Sequence, residues 1–233
     1  MNSNDNERDV EVAHAAPQSG MRSMSRSDKN LLDRVDRAFS ESLAAVEGLW
    51  RSQGAVIVEM ARMVAGAFKA HRRLYIFGNG GSAADAQHLA AECINRFQME
   101  RAPLPAVALT VDTSVLTSIA NDYDFKDVFL KQIQALGEAG DVALGLSTSG
   151  RSENVLRALR WAREHGLHTL GFAGRDKTDM DIYCDRILHV PSPVTARVQE
   201  GHIAAGHILC ELIEVLVFQP DDPEGEEPAP AIC

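Results

Sequence analysis

Basic residues are in short supply: 23 Lys and Arg stand against 33 Asp and Glu in 233 residues, a formal charge of −10. Nucleic-acid and anionic-membrane binders usually carry a basic footprint, so this balance argues against both. Any anionic ligand must be met by local donors that overcome the overall field. Cysteine is scarce too, and Cys93, Cys184, Cys210 and Cys233 are scattered without CxxC or CxxxC spacing. That excludes the usual patterns of a disulfide frame or a structural zinc knot and favours reduced, mostly buried thiols in a cytoplasmic protein. No apolar run is expected to span a bilayer, and the N-terminus shows no signal-peptide core. No internal repeat of fixed period occurs. A hydrophobic share of 45% and a charged share of 24% are ordinary, and the length suits one domain with appendages.

What is present is organised around Arg73–Glu92, RLYIFGNGGSAADAQHLAAE. Leu74, Tyr75, Ile76 and Phe77 form a short apolar run, as in a buried parallel strand. Gly78, Gly80 and Gly81 break it and permit a tight turn or a close backbone approach. Ser82 and Asp85 read as a capping-box helix start. The helix that follows puts His88 and Glu92 on one face, at i and i+4.

Before this stretch, residues 1–26 are polar and aperiodic and are expected to be disordered. Leu31, Leu32, Val35, Phe39, Leu43, Val46 and Leu49 recur at helical spacing, predicting a helix over Asp28–Arg51, with a second over Ala55–His71. These helices either pack on the sheet or build an oligomer interface. After it, strands are expected at Ala106–Leu109, Val142–Leu146, Thr169–Phe172 and Arg186–Val190. Helices are expected through about Ala120 and over Lys126–Leu136, Glu153–His165 and Val198–Phe218. The acidic, Pro-rich tail at 219–233 is expected to be disordered. Strand–helix alternation predicts an α/β fold with a five-stranded parallel sheet and helices on both faces. In the flavodoxin-like order 2-1-3-4-5, the loops after strands one and three flank the switch point, where ligands bind. Those two loops are the Gly/Ser-rich ones, Gly78–Ser82 and Ser147–Ser152.

Ser147, Thr148, Ser149 and Ser152 offer four hydroxyls at a helix N-terminus, a combination suited to phosphate. The plainer alternative is a serine-rich turn that merely caps the helix. No Lys follows at P-loop spacing, which disfavours a nucleoside triphosphate. Gly78-x-Gly80-x-x-Ala83 matches a dinucleotide fingerprint, but the acid expected about twenty residues on is missing, Asp112 lying some thirty residues on. His88 and Glu92 read as a surface ion pair or as acid/base groups. Gln199, His202 and His207 add polar groups to an otherwise apolar final helix. His, Glu, His and a glutamine oxygen make a possible zinc set. Gln199 and His207, however, are eight residues apart, roughly 12 Å along a straight helix. Either Gln199 precedes the helix or the two serve different sites.

GNGGSAADAQHLAAE, the Asn121-Asp122 turn, STSGRS and RVQEGHIAAGHI, taken in order, resemble the phosphoheptose isomerases of the sugar-isomerase (SIS) superfamily, from about Leu31 to Phe218. The resemblance implies a SIS-type three-layer sandwich over residues 27–218. It also implies a cytoplasmic, zinc-dependent homotetramer with sites at subunit interfaces, converting D-sedoheptulose 7-phosphate to D-glycero-D-manno-heptose 7-phosphate for bacterial surface polysaccharide. It places zinc on His88, Glu92, Gln199 and His207 and makes Glu92 and His207 the acid/base pair. Substrate would lie on Asn79, Gly80, Gly81, Ser82, Glu92, Arg96, Asn121, Asp122, Ser147, Thr148, Ser149, Ser152 and Gln199. Two positions depart from the family pattern: Ala196, where some members have Asp, and Arg151, where Asn is common. Around AAECINRFQMERAPLPAVAL, SVLTSIANDYDF and QALGEAGDV the chain is also similar to the bacterial DnaA initiator-associating protein, a non-enzymatic regulator of replication. That pattern lacks the residues that stand here as Glu92 and His207, which favours the enzyme.

Overall fold

The computed structural model describes residues 25–219. Apart from their inner ends, the segments expected to be disordered, 1–26 and 219–233, therefore lie outside the described residues. The described residues divide into two compact units, with the boundary between Ala38 and Phe39. In the first, Ser25 Oγ accepts from the Asp28 amide (3.1 Å) and the Asp28 carboxylate answers the Ser25 amide (3.3 Å), a reciprocal cap on the first helix.

That helix, α1, runs unbroken over Arg26–Lys69, where two helices were expected. Nothing in Ser52-Gln53-Gly54 stops it. No Pro intervenes, the Ser52 hydroxyl donates back to the Gly48 carbonyl (2.7 Å), and one interior Gly costs only about 1 kcal/mol. The remaining elements follow in order: β1 (Leu74–Gly78), α2 (Gly81–Ile94), β2 (Ala106–Ala108), α3 (Thr113–Asp122), a 3₁₀ turn, α4 (Val128–Leu136), β3 (Val142–Ser147), α5 (Glu153–Glu164), β4 (His168–Ala173), a short α6 (Met180–Tyr183), β5 (Arg186–His189) and α7 (Thr195–Phe218). Asn121 and Asp122 thus end α3 rather than forming a turn after it. Asp112 is the α3 N-cap, accepting from the Val115 amide, and this employs the acid left over from the dinucleotide pattern.

All strands pair in parallel, in the order β2-β1-β3-β4-β5. The two-residue alternation of a strand sends Leu74 and Ile76 to one face and Tyr75 and Phe77 to the other. The first face joins a core with α2, α7 and the Ala45–Phe68 part of α1. The second joins one with α4, α5 and α6. This is a three-layer α/β sandwich.

Helix α7 is long and apolar enough by composition to cross a membrane, contrary to expectation, but 44% of its apolar window is buried inside the fold. It is a core helix flanked by α2 and the sheet, so it is apolar around much of its circumference. One ion pair is buried with it. Glu214 on α7 and Arg101, in the loop after α2, meet at 2.8 Å with side chains 1% and 2% exposed. The Glu214 carboxylate also accepts the amides of Phe97, Gln98 and Met99, while Arg101 donates to the carbonyls of Glu92 and Cys93. Both charges are saturated by hydrogen bonds, which is the condition for such a pair to be tolerated without water. Glu214→Gln should lower stability by about 3–5 kcal/mol in urea denaturation, because it leaves the guanidinium uncompensated. A loss below about 1 kcal/mol would mean that the pair behaves like one in solvent.

Candidate active site

β1 and β3 are neighbours at the point where the strand order reverses, so their C-terminal loops face each other. The two loops are tied by a reciprocal amide pair: Asn79 Nδ2 donates to Asn154 Oδ1 and Asn154 Nδ2 to Asn79 Oδ1, each at 2.9 Å. The serine hydroxyls after β3 do not cap the helix they precede. Ser152 is the α5 N-cap residue, yet no side chain caps the helix. Ser147 Oγ instead donates to Ser152 Oγ (3.0 Å), and Ser149 Oγ accepts from the Arg151 amide (3.2 Å). The positive end of α5 is left for another acceptor, as anion binding requires.

A pocket of about 210 Å³ opens beside this loop, lined by Thr148, Ser149, Arg151, Arg175, Ser192 and Thr195 among others. Arg175 and Ser192, from the loops after β4 and β5, had no signal in the local pattern. The pocket wall is braced from behind. The two ring nitrogens of His189 meet the Gly174 carbonyl (2.7 Å) and the Asp181 carboxylate (3.0 Å). Asp181 accepts the Thr178 amide, and Thr178 Oγ1 donates to the Gly150 carbonyl (2.8 Å).

Farther along α2, His88 lies against α7. Its Nε2 is 2.8 Å from Nε2 of His207, one ring donating and the other accepting, and 3.4 Å from Glu92 Oε1. The reading of His88 and Glu92 as an exposed pair alone is incomplete, since His207 completes the group. Gln199 is inside α7, not ahead of it, and sits elsewhere. An ideal Cβ on Gly81 would come 2.3 Å from its Nε2, so Gln199 lies at the start of α2, away from His207. His88 follows Gly81 by seven residues, roughly 10 Å of helix. Ser82 is buried, and the expected capping box is absent, because no side chain caps α2. Asn121 and Asp122 are exposed and bonded to each other (2.8 Å), and Arg96 is exposed with Glu100 beside it (3.5 Å). The described hydrogen bonds connect none of these last three to the serine loop.

Among the described residues no three His, Cys, Asp or Glu side chains form a finished metal cage. The donor types nevertheless suit zinc: two imidazole nitrogens facing one another with a carboxylate at hand. Asp85, read from sequence only as a cap, sits one turn before His88 with Oδ2 buried and unpartnered. Burial raises its carboxyl above the ordinary range, while the charges of His88 and His207 pull it down.

The SIS domain family model matches residues 39–174. The chain is 46% identical to the phosphoheptose isomerase of Thermodesulfovibrio yellowstonii, over 80% of this chain and 93% of that one. The chain belongs to the phosphoheptose isomerases of the SIS superfamily. The solved phosphoheptose isomerase GmhA of Neisseria gonorrhoeae is 43% identical, with a TM-score of 0.75 over 79% of this chain and 98% of that one. The structure of the Francisella tularensis phosphoheptose isomerase gives a TM-score of 0.76 at 34% identity, over 78% and 97%. The family is one of isomerases, so this member is an enzyme acting on sugar phosphate.

The polar residues of α7 separate by role in this isomerase. His207 joins the cluster, whereas His202 is fully buried beside Phe172, with its Nε2 3.1 Å from the Ala173 carbonyl and its Nδ1 unpartnered. Burial lowers its pKa from 6.5 to about 4. Between those values the unfolded chain binds a proton that the fold refuses. Stability is therefore complete above about pH 6.5 and falls toward pH 4, by about 3 kcal/mol. Urea midpoints across this window should show a flatter dependence in His202→Asn than in the wild type. Parallel curves would remove His202 as the cause.

Proposed function

We propose that this isomerase interconverts D-sedoheptulose 7-phosphate and D-glycero-D-manno-heptose 7-phosphate through an enediol, with Glu92 and His207 as the acid/base pair. One observation carries the reading: the uncapped serine loop is tied through Asn79 and Asn154 to the helix that bears the imidazole–carboxylate group. In the ketose-to-aldose direction, a base takes a proton from C1 as the C2 carbonyl oxygen gains one. The resulting enediol then loses the O1 proton while C2 is protonated. A carboxylate and an imidazole within reach of both carbons can serve both halves.

The phosphate is assigned to Ser147, Thr148, Ser149 and Ser152. Arg151 and Arg175 line the adjoining pocket with Asp176 beside Arg175 (3.4 Å), leaving a net positive charge there in a chain of net charge −10. Arg151, at a position where relatives often have Asn, thus adds affinity rather than removing it. Asn79, Gly80, Gly81, Asn121, Asp122, Arg96 and Gln199 are assigned to the sugar. His88, Glu92 and His207 would hold zinc, which when bound supplies Lewis acidity to the carbonyl oxygen, while Gln199, held at Gly81, is left to the sugar. A homotetramer with interfacial sites is the assembly we infer. Phe39, Leu43 and Trp50 on α1 are about 70% exposed, and no residue of α3 is buried, so both faces fit other copies. Cys93, Cys184 and Cys210, all free and buried, agree with a reducing cytoplasm.

Zinc-loaded protein given sedoheptulose 7-phosphate should form an aldose product. In the same assay Glu92→Gln or His207→Ala should lower kcat by about 10²–10⁴ without changing assembly. Ser149→Ala combined with Ser152→Ala should mainly raise KM. Wild-type-like turnover in either single variant would refute the acid/base assignment. Absence of turnover in the wild type, with binding to the initiator DnaA, would favour the regulator instead.

A further inference from the structure

Among the described residues, the His207 imidazole hydrogen-bonds to His88 alone, and the His88 side chain is 46% exposed. That bond cannot fix the plane of the His207 ring. A second contact does. The Phe97 ring stacks on His207 with centroids 5.6 Å apart and planes 21° from parallel, while His88 meets it edge-on at 5.1 Å and 72°. Both geometries lie in the favourable range for aromatic pairs.

Phe97 lies in the irregular segment after α2, which has no strand or helix ladder to hold it. Its position is set by the buried pair described above. The Phe97 amide donates to Glu214 Oε1 (2.9 Å), and the next two amides donate to Oε2. Glu214 follows His207 by seven residues on α7, two helical turns. On its other side Glu214 is bonded to Arg101, whose guanidinium also holds the Glu92 carbonyl (2.8 Å). One buried clamp therefore grips the backbone of Glu92 and that of the residue stacked on His207. Simple loop anchoring would need neither the aromatic ring at Phe97 nor its alignment with the imidazole, although Phe97 also touches the edge of the core.

We propose that Phe97 is a positioning residue for His207, with Glu214 and Arg101 setting the ring that holds the imidazole plane. The activity part of this rests on His207 being half of the acid/base pair, but the geometric part does not. Phe97→Leu keeps an apolar side chain and removes the flat face. It should lower kcat about tenfold with KM held within about twofold, and Phe97→Tyr should restore kcat. Independently, the ring-proton NMR resonances of His207 in metal-free protein should lose their ring-current shift in Phe97→Leu and regain it in Phe97→Tyr. Unmoved resonances would overturn the proposal, as would a KM increase with unchanged kcat. If the wild type shows no isomerase turnover, the function reading fails and the NMR comparison alone decides the positioning. Should Phe97→Leu fail to fold, Phe97→Met makes the same comparison.

Discussion

The close, side-by-side packing of α2 and α7 is the constraint on which the site depends. Near the start of the contact, a Cβ on Gly81 would meet Gln199 at 2.3 Å, and farther along a Cβ on Gly206 would meet Leu89 at 2.7 Å. Two glycines thus remove the side chains that would hold the helices apart. With the helices running in the same direction, residues met in the same order on each come together, and His88 arrives at His207. A bulkier residue at Gly206 would press on Leu89, which is buried and has little room to yield, whereas at Gly81 the amide end of Gln199 can swing aside.

The other half of the site is electrostatic. A chain of net charge −10 repels an anionic substrate at long range and must offset that locally. Features that suit an anion gather beside the serine loop: a helix end whose serines face each other instead of capping it, two arginines on the pocket wall against one aspartate, and a brace of His189, Asp181 and Thr178 that holds the wall to the loop. The Asn79–Asn154 pair joins this half to α2. The serine loop and the helix that carries His88 and Glu92 are therefore joined by side-chain hydrogen bonds.

The interior handles its polar groups in three ways. Glu214 and Arg101 are charged and satisfied on every side, and they brace the segment beyond α2. His202 is kept neutral by its surroundings, with one ring nitrogen bonded and the other bare. Asp85 has a buried oxygen without a partner, close enough to His88 and His207 to feel their charge. The first braces the segment that follows α2, and the third sits near the start of α2.

Much of the fold was legible because the signals are local. Continuous apolar runs marked Leu74–Phe77 and Val142–Leu146 as buried strands, Gly and Ser marked the loops between strand and helix, and their alternation implied the parallel sheet and its switch point. Where local signals were ambiguous, the reading went astray. Two helices were expected where α1 runs unbroken, and Ser82 with Asp85 suggested a cap that does not form. Arg175, Ser192 and Phe97 carried no pattern at all. Their importance arises only when loops distant in sequence are brought alongside the serine loop and His207. By itself the sequence determined which faces are apolar, where the chain turns and which residues have suitable chemistry, since each depends on near neighbours along the chain. Tertiary structure alone decided that His88 meets His207 while Gln199 stays at Gly81, because the separation of two helices is set by every side chain packed between them.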